Sequence, residues 1–264
     1  MNRILKRNIK LKQSGKKAFV AYITAGFPNI KVTEQLVSTL EKSGVDFIEL
    51  GMPFSDPIAD GPTIQYASAQ ALKKGMNLLK YLKLIQRLRK KTRLPLIMMT
   101  YYNPVFKFGL NRFAQAAAKS GIDGVIVPDL PPEEAIDLKR NLQAKKISLI
   151  FLLAPTSDIK RIKKIARLSS GFIYYVSLTG VTGARSKLPR DLTRKVRLIK
   201  KHSRIPIYVG FGISGPQQVK YISQFADGVI IGSAIIKIIQ SKYGKKGFLR
   251  IIERFIASLN RMTY

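Results

Sequence analysis

The chain has 264 residues, no cysteine, and 47 Lys and Arg against 15 Asp and Glu, for a formal net charge of +32. This length suits one large α/β domain over residues 1–264, the lack of cysteine excludes disulfides and thiolate metal sites and fits a reducing compartment, and no uncharged apolar run reaches the ~18 residues of a membrane span. The charge raises nucleic-acid binding as a function, but the basic residues fall at helical spacing among Leu and Ile in segments such as 83–93, 160–167 and 190–201, which reads as solvated helix faces without a stacking platform.

The acid-free start, 1–17, reads as a short helix running into a first strand at 18–24, followed by a helix over 30–42. A second strand at 45–50 leads into a long loop rich in Gly, Pro and Asp, then helical segments at 62–74 and 77–91. Strands at 95–101, 124–127, 147–152, 172–177, 206–209 and 227–231 alternate with helices at 110–119, 132–144, 158–168, 191–201 and 216–223. Two more helical segments begin at Ser233 and Phe248. Eight strands, each followed by helix, predict a (β/α)8 TIM barrel with an extra N-terminal helix and extra helical segments after strands 2 and 8. A doubly wound open sheet is the alternative. The tetrapeptide at 43–46 recurs at 120–123 and is echoed at 226–229, each time just before a strand, a pattern that ordinary βα turns also produce.

In such a barrel the chemistry lies at the C-terminal ends of the strands. No Lys stands at a strand end, so a Schiff-base mechanism lacks its nucleophile, and the single histidine, His202, falls before strand seven at the opposite face. The acids there are Glu49, Asp56, Asp60 and Asp129, without the spacing of a metal-ligand cluster. Glu49 closes an apolar run, where lost hydration raises a carboxyl pKa, while Asp60 sits on a loop that keeps it hydrated and ionised. That division outlines an acid/base pair, against the plainer reading of an ion-paired Glu and a turn-forming Asp. Glycines after the last two strands, at 210–212 and at Gly232, with a helix starting at Ser233, suit a phosphate. The loop 178–189 combines glycines with polar residues as a lid would, or as an unstructured connection would.

The strings ELGMPFSDPIADGPTIQ at 49–65, GVTG at 180–183 and GFGI at 210–213 together resemble the tryptophan synthase alpha subunit family, as does the order of strands over about 18–239. The resemblance implies a lyase that cleaves indole-3-glycerol phosphate to indole and glyceraldehyde 3-phosphate by a retro-aldol reaction. It gives Glu49 the acid/base role and sets Asp60 against the indole nitrogen, with Tyr174 in preference to Tyr175 as the active-site tyrosine. Tyr22, Met99 and Leu152 would line the indole pocket, Thr182 would close the lid over Asp60, and Gly183, Gly212, Gly232 and Ser233 would contact phosphate. Tyr22 stands where the family often has Phe, and Met99 where it often has Leu.

The resemblance further implies a beta-subunit partner carrying pyridoxal phosphate, in a tetramer of two alpha and two beta chains. This chain would carry no cofactor and no metal, and would meet the partner through the loops bearing Asp56 and Asn103–Pro104. A bacterial cytoplasm is the default location, and a plastid stroma the alternative for a plastid-encoded chain. Two other functions compete: another phosphate-binding barrel enzyme, such as an isomerase of a phosphoribosyl substrate, and a basic nucleic-acid-binding protein.

Overall fold

All seven residues of β1 (Ala18–Thr24) are buried, as expected of a parallel strand covered on both faces. The computed structural model describes residues 2–177, 189, 191–210 and 212–263. The remaining strands are β2 (Phe47–Gly51), β3 (Leu96–Met99), β4 (Gly124–Ile126), β5 (Ser148–Ile150), β6 (Leu152–Leu153), β7 (Ile173–Val176), β8 (Ile207–Gly210) and β9 (Gly228–Ile231). The helices are α1 (Arg3–Gln13), α2 (Ile30–Lys42), α3 (Pro62–Lys73), α4 (Leu78–Arg89), α5 (Tyr102–Phe108), α6 (Leu110–Ser120), α7 (Ile136–Ala144), α8 (Ile159–Leu168), α9 (Leu192–His202), α10 (Pro216–Ser223), α11 (Ser233–Lys242) and α12 (Phe248–Asn260). Among the described residues no helix is long and apolar enough to cross a membrane.

The ladder runs β5-β4-β3-β2-β1-β9-β8-β7-β6 with every pairing parallel. Only Phe151 separates β5 from β6, and its carbonyl accepts the Tyr174 amide at 3.1 Å. The predicted fifth strand is therefore one strand that passes its hydrogen bonds from β4 to β7. With that strand the sheet closes on itself, as a TIM barrel and not an open sheet.

Four expectations need correction. Between the strand expected at 95–101 and the helix expected from 110 the structure adds helix α5; its Pro104 lies in the first turn, where a missing N–H costs nothing. Helix α7 starts at Ile136, four residues later than predicted, after a turn closed by the Glu134 amide on the Pro131 carbonyl. Strand β2 runs to Gly51, so Glu49 sits mid-strand and not at its end. Helix α1 stops at Gln13, four residues short of the expected 17, and the other boundaries shift by at most two residues.

The interior is filled in layers. At the N-terminal end Phe47, Phe172 and Tyr208 pack together, with Phe172 and Tyr208 stacked at 4.3 Å between ring centroids. Below them α1 closes the barrel: Ile4 is fully buried, and the Tyr208 hydroxyl donates to Asn8 Oδ1 at 2.6 Å. Gly124 is required here, since a Cβ would stand 2.7 Å from Ile4 Cδ1.

The sequence echoes acquire a physical meaning at the same face. Asp46, Asp123 and Asp227 each precede a strand and accept the amide of Phe19, Leu96 and Ile207 on the neighbouring strand, at 2.8, 2.9 and 3.0 Å. Each also meets a cation: Arg7 for Asp46, Arg3 and Arg89 for Asp123, Lys200 for Asp227. The recurring aspartate thus locks one strand to the next at three places around the barrel.

Candidate active site

At the C-terminal end of the barrel a cleft is lined by Tyr22, Glu49, Asp60, Ile64, Met99, Tyr174, Gly212, Ile213, Ile230, Gly232 and Ser233. Strand register explains the convergence. Tyr22 pairs with Glu49, Glu49 with Ile97 and Met99 with Gly51, so the odd-numbered side chains of β2 and β3 share a face with Tyr22. Across the barrel Tyr174 faces the cleft, while its neighbour Tyr175 does not line it.

Two glycines at strand ends make room for the tyrosines. A Cβ on Gly51 would overlap the Tyr22 hydroxyl, and one on Gly210 the Tyr174 hydroxyl. Gly232 is tight as well, its hypothetical Cβ lying 3.1 Å from the Tyr22 ring.

Glu49 is 1 % exposed, and neither carboxyl oxygen has a hydrogen-bond partner among the described residues. Burial, with a smaller contribution from the Asp60 charge, pushes its pKa up to about 8. The carboxyl is therefore mainly protonated at neutral pH and lies within one unit of titrating, the condition for giving and taking a proton.

Asp60 departs from the expectation of a fully hydrated loop carboxylate. It is half-buried, and burial raises it to about 6, against the lowering effect of a hydrogen bond from Tyr101. The Tyr101 hydroxyl donates to Asp60 Oδ2 at 3.2 Å and accepts the Ala59 amide at 3.0 Å. At neutral pH Asp60 is mostly ionised and Glu49 mostly neutral, so two carboxyls of one pocket are held in different states.

Gly232 and Ser233, which line the cleft, begin α11, whose N-terminus has no side-chain cap among the described residues. Gly212 takes a φ of +75°, a conformation suited to glycine. Together these supply backbone donors and the positive end of a helix dipole beside the carboxyls.

Among the remaining sequence-predicted residues, Leu152 pairs in register with Tyr174 but stands outside the cleft lining. Thr182 and Gly183 lie outside the described residues. Asp56 is exposed and accepts from Ser55 at 2.6 Å, while Asn103 and Pro104 lie in the first turn of α5. Pro104 lines a second groove with Phe54, Met76 and Phe108, and the nearby loop and helix expose Ile58 and Phe106. Asp129 takes no part in a metal cluster: both its oxygens accept the Tyr102 amide at the start of α5, and no group of three metal-ligating side chains exists among the described residues.

Sequence reasoning missed Tyr101, Ile64, Ile213 and Ile230. Tyr101 carried a signal as an aromatic residue closing the expected strand at 95–101; Ile64 and Ile213 stand inside the strings at 49–65 and 210–213, and Ile230 inside the eighth strand, with no role given to them.

The profile of the family described as tryptophan synthase alpha chain matches residues 9–262. Relatives called tryptophan synthase alpha chain include one from Citrifermentans bemidjiense, 49 % identical over 99 % of this chain and 97 % of its own length. Another, from Caldanaerobacter subterraneus, is 44 % identical over 99 % of this chain and all of its own. The crystal structure of tryptophan synthase subunit alpha from Legionella pneumophila superposes with a TM-score of 0.92 at 38 % identity, covering 100 % of this chain and 98 % of that one.

Proposed function

The chain belongs to the tryptophan synthase alpha chain family, and from that premise we propose how its residues carry the reaction. As a family member it is a carbon–carbon lyase of tryptophan biosynthesis, cleaving indole-3-glycerol phosphate to indole and glyceraldehyde 3-phosphate. The observation that carries the residue assignment is Glu49: a buried carboxyl with a pKa near neutrality and no partner among the described residues, facing an apolar cleft.

Glu49, in its protonated form, gives its proton to indole C3. The ring nitrogen then carries positive charge, and the ionised Asp60 stabilises it. Glu49, now a carboxylate, removes the proton of the hydroxyl next to the bond that breaks. The O–H electron pair forms the aldehyde, and the C–C pair returns to the ring and neutralises the nitrogen. One proton leaves Glu49 and one returns, so no amine or metal is needed. Tyr22, Met99 and Tyr174 hold the indole plane, with Leu152 beside Tyr174 on the neighbouring strand. Gly212, Gly232 and Ser233 take the phosphate; Thr182 and Gly183, outside the described residues, are assigned to substrate and phosphate by the family resemblance alone.

Membership in the family implies a beta-subunit partner. We assign its docking surface to Asp56, Asn103 and Pro104, a choice supported by the apolar exposure of Ile58 and Phe106 beside them. The assembly is read as two alpha and two beta chains, with pyridoxal phosphate in the partner and none in this chain, residues 1–264 forming one domain. A cytoplasmic setting agrees with the bacterial relatives and the absence of cysteine.

Indole release by the purified chain, alone and with a beta subunit added, tests this reading. Slow release alone and faster release with the partner is expected; unchanged size and rate on mixing would overturn the partnership.

A further inference from the structure

The Tyr101 ring is buried and stacked on Phe54 at 5.0 Å between centroids, which is a packing role. Packing does not account for its hydroxyl. The Ala59 amide points at a phenol lone pair at 3.0 Å, so the phenol proton is directed elsewhere, and the acceptor within reach is Asp60 Oδ2 at 3.2 Å. The hydroxyl therefore grips the loop twice, once by its backbone and once by its carboxylate.

Tyr101 is also the N-cap residue of α5, and the next amide, that of Tyr102, is fixed by both oxygens of Asp129 at 2.9 and 3.1 Å. Its stacking partner Phe54 belongs to the loop that carries Asp56. Both segments assigned above to the partner surface thus converge on one side chain, whose far end touches Asp60.

We propose that Tyr101 is a positioning residue for the reaction, its hydroxyl aiming the Asp60 carboxylate into the cleft and its place at the head of α5 linking that carboxylate to the partner-docking surface. The proposal rests on the role given to Asp60 above. A donor to the carboxylate favours its ionised form, the form that faces a developing cation. Burial alone would move Asp60 further toward the neutral acid, and Tyr101 opposes that. The other titratable groups coupled to Asp60 are Glu49 on β2, Tyr22 on β1 and Tyr174 on β7; each is raised by burial first, and none supplies a positive charge.

The substitution Tyr101→Phe keeps the ring and its stacking and removes only the hydroxyl. The experiment follows indole release from indole-3-glycerol phosphate between pH 5 and pH 9, with and without the beta subunit, for four proteins: wild type, Tyr101→Phe, Asp60→Asn and the double variant. For Tyr101→Phe the acid limb of kcat/KM is expected to move upward by about one pH unit, a loss of about tenfold below pH 6 that shrinks above pH 8. Stimulation by the beta subunit should fall as well. In the Asp60→Asn background, Tyr101→Phe should add nothing. If Tyr101→Phe shifts only KM or thermal stability and leaves the pH profile and the stimulation as in wild type, Tyr101 is packing alone and the proposal fails. If Asp60→Asn turns over as wild type, the assignment of Asp60 itself fails, which is a different outcome.

Discussion

Replacing Glu49 by Gln should change the pH dependence of stability in a way that geometry alone sets. Burial holds the Glu49 carboxyl at about 8 against an ordinary value of 4.5. A folded-state pKa above the unfolded one means that the native state binds the proton more tightly, so stability is complete below pH 4.5 and is lost as pH rises toward 8. The loss is about 1.4 kcal/mol per pH unit over that interval, or about 5 kcal/mol when the carboxyl is fully ionised. Gln fills nearly the same space and does not titrate. Asp60, raised to about 6 by burial, loses stability in the same direction in both proteins. The difference between the two proteins therefore isolates Glu49. Urea unfolding of wild type and Glu49→Gln from pH 4.5 to pH 8.5, extrapolated to water, should show the variant gaining on wild type steadily with pH. A gap between the two that stays constant over the range would refute the reasoning, because it would mean that the carboxyl is not desolvated or finds a partner.

Two further predictions concern the scaffold. Asp46→Ala strips its acceptor from the buried Phe19 amide and frees Arg7, and should lower unfolding free energy by about 1–3 kcal/mol, read by urea melts, with little effect on KM in the protein that remains folded. Gly51→Ala forces a methyl group into the Tyr22 ring, whose Cζ would lie 2.7 Å away, and should cost about 1–3 kcal/mol while raising KM, because Tyr22 can yield only into the cleft.

The barrel was legible in the sequence because each strand is a short apolar run followed by helical spacing. The elements that escaped did so for local reasons. Helix α5 is seven residues long and carries a proline, and sequence patterns penalise proline without knowing that it falls in the first turn. The division of the fifth strand at Phe151 depends on which neighbour supplies each hydrogen bond, a non-local fact.

The site shows the same contrast. Glu49 stood out because an acid inside an apolar run is rare, and the structure buries it as that rarity suggests. The state of Asp60 was read from its loop alone. Tyr101, distant by 41 positions, shapes its environment, and no pattern within the loop announces that contact. Tyr174 was told from Tyr175 by the family resemblance, and the structure turns Tyr174 and not Tyr175 to the cleft, whereas Leu152, assigned by the same resemblance, pairs with Tyr174 in register without lining the cleft. The recurring aspartates before β2, β4 and β9 show that a motif that looks like ordinary turn chemistry can hold a repeated strand-to-strand lock.

The most direct test of the account is a single-turnover measurement of indole released from indole-3-glycerol phosphate by wild type and by Glu49→Gln, both verified as folded. If Glu49 moves both protons of the reaction, the wild type releases indole and the variant falls by at least about a hundredfold, as expected for loss of a general acid and base. Release by Glu49→Gln at the wild-type rate would show that the proton travels by another group, and the mechanism built on this carboxyl would be wrong.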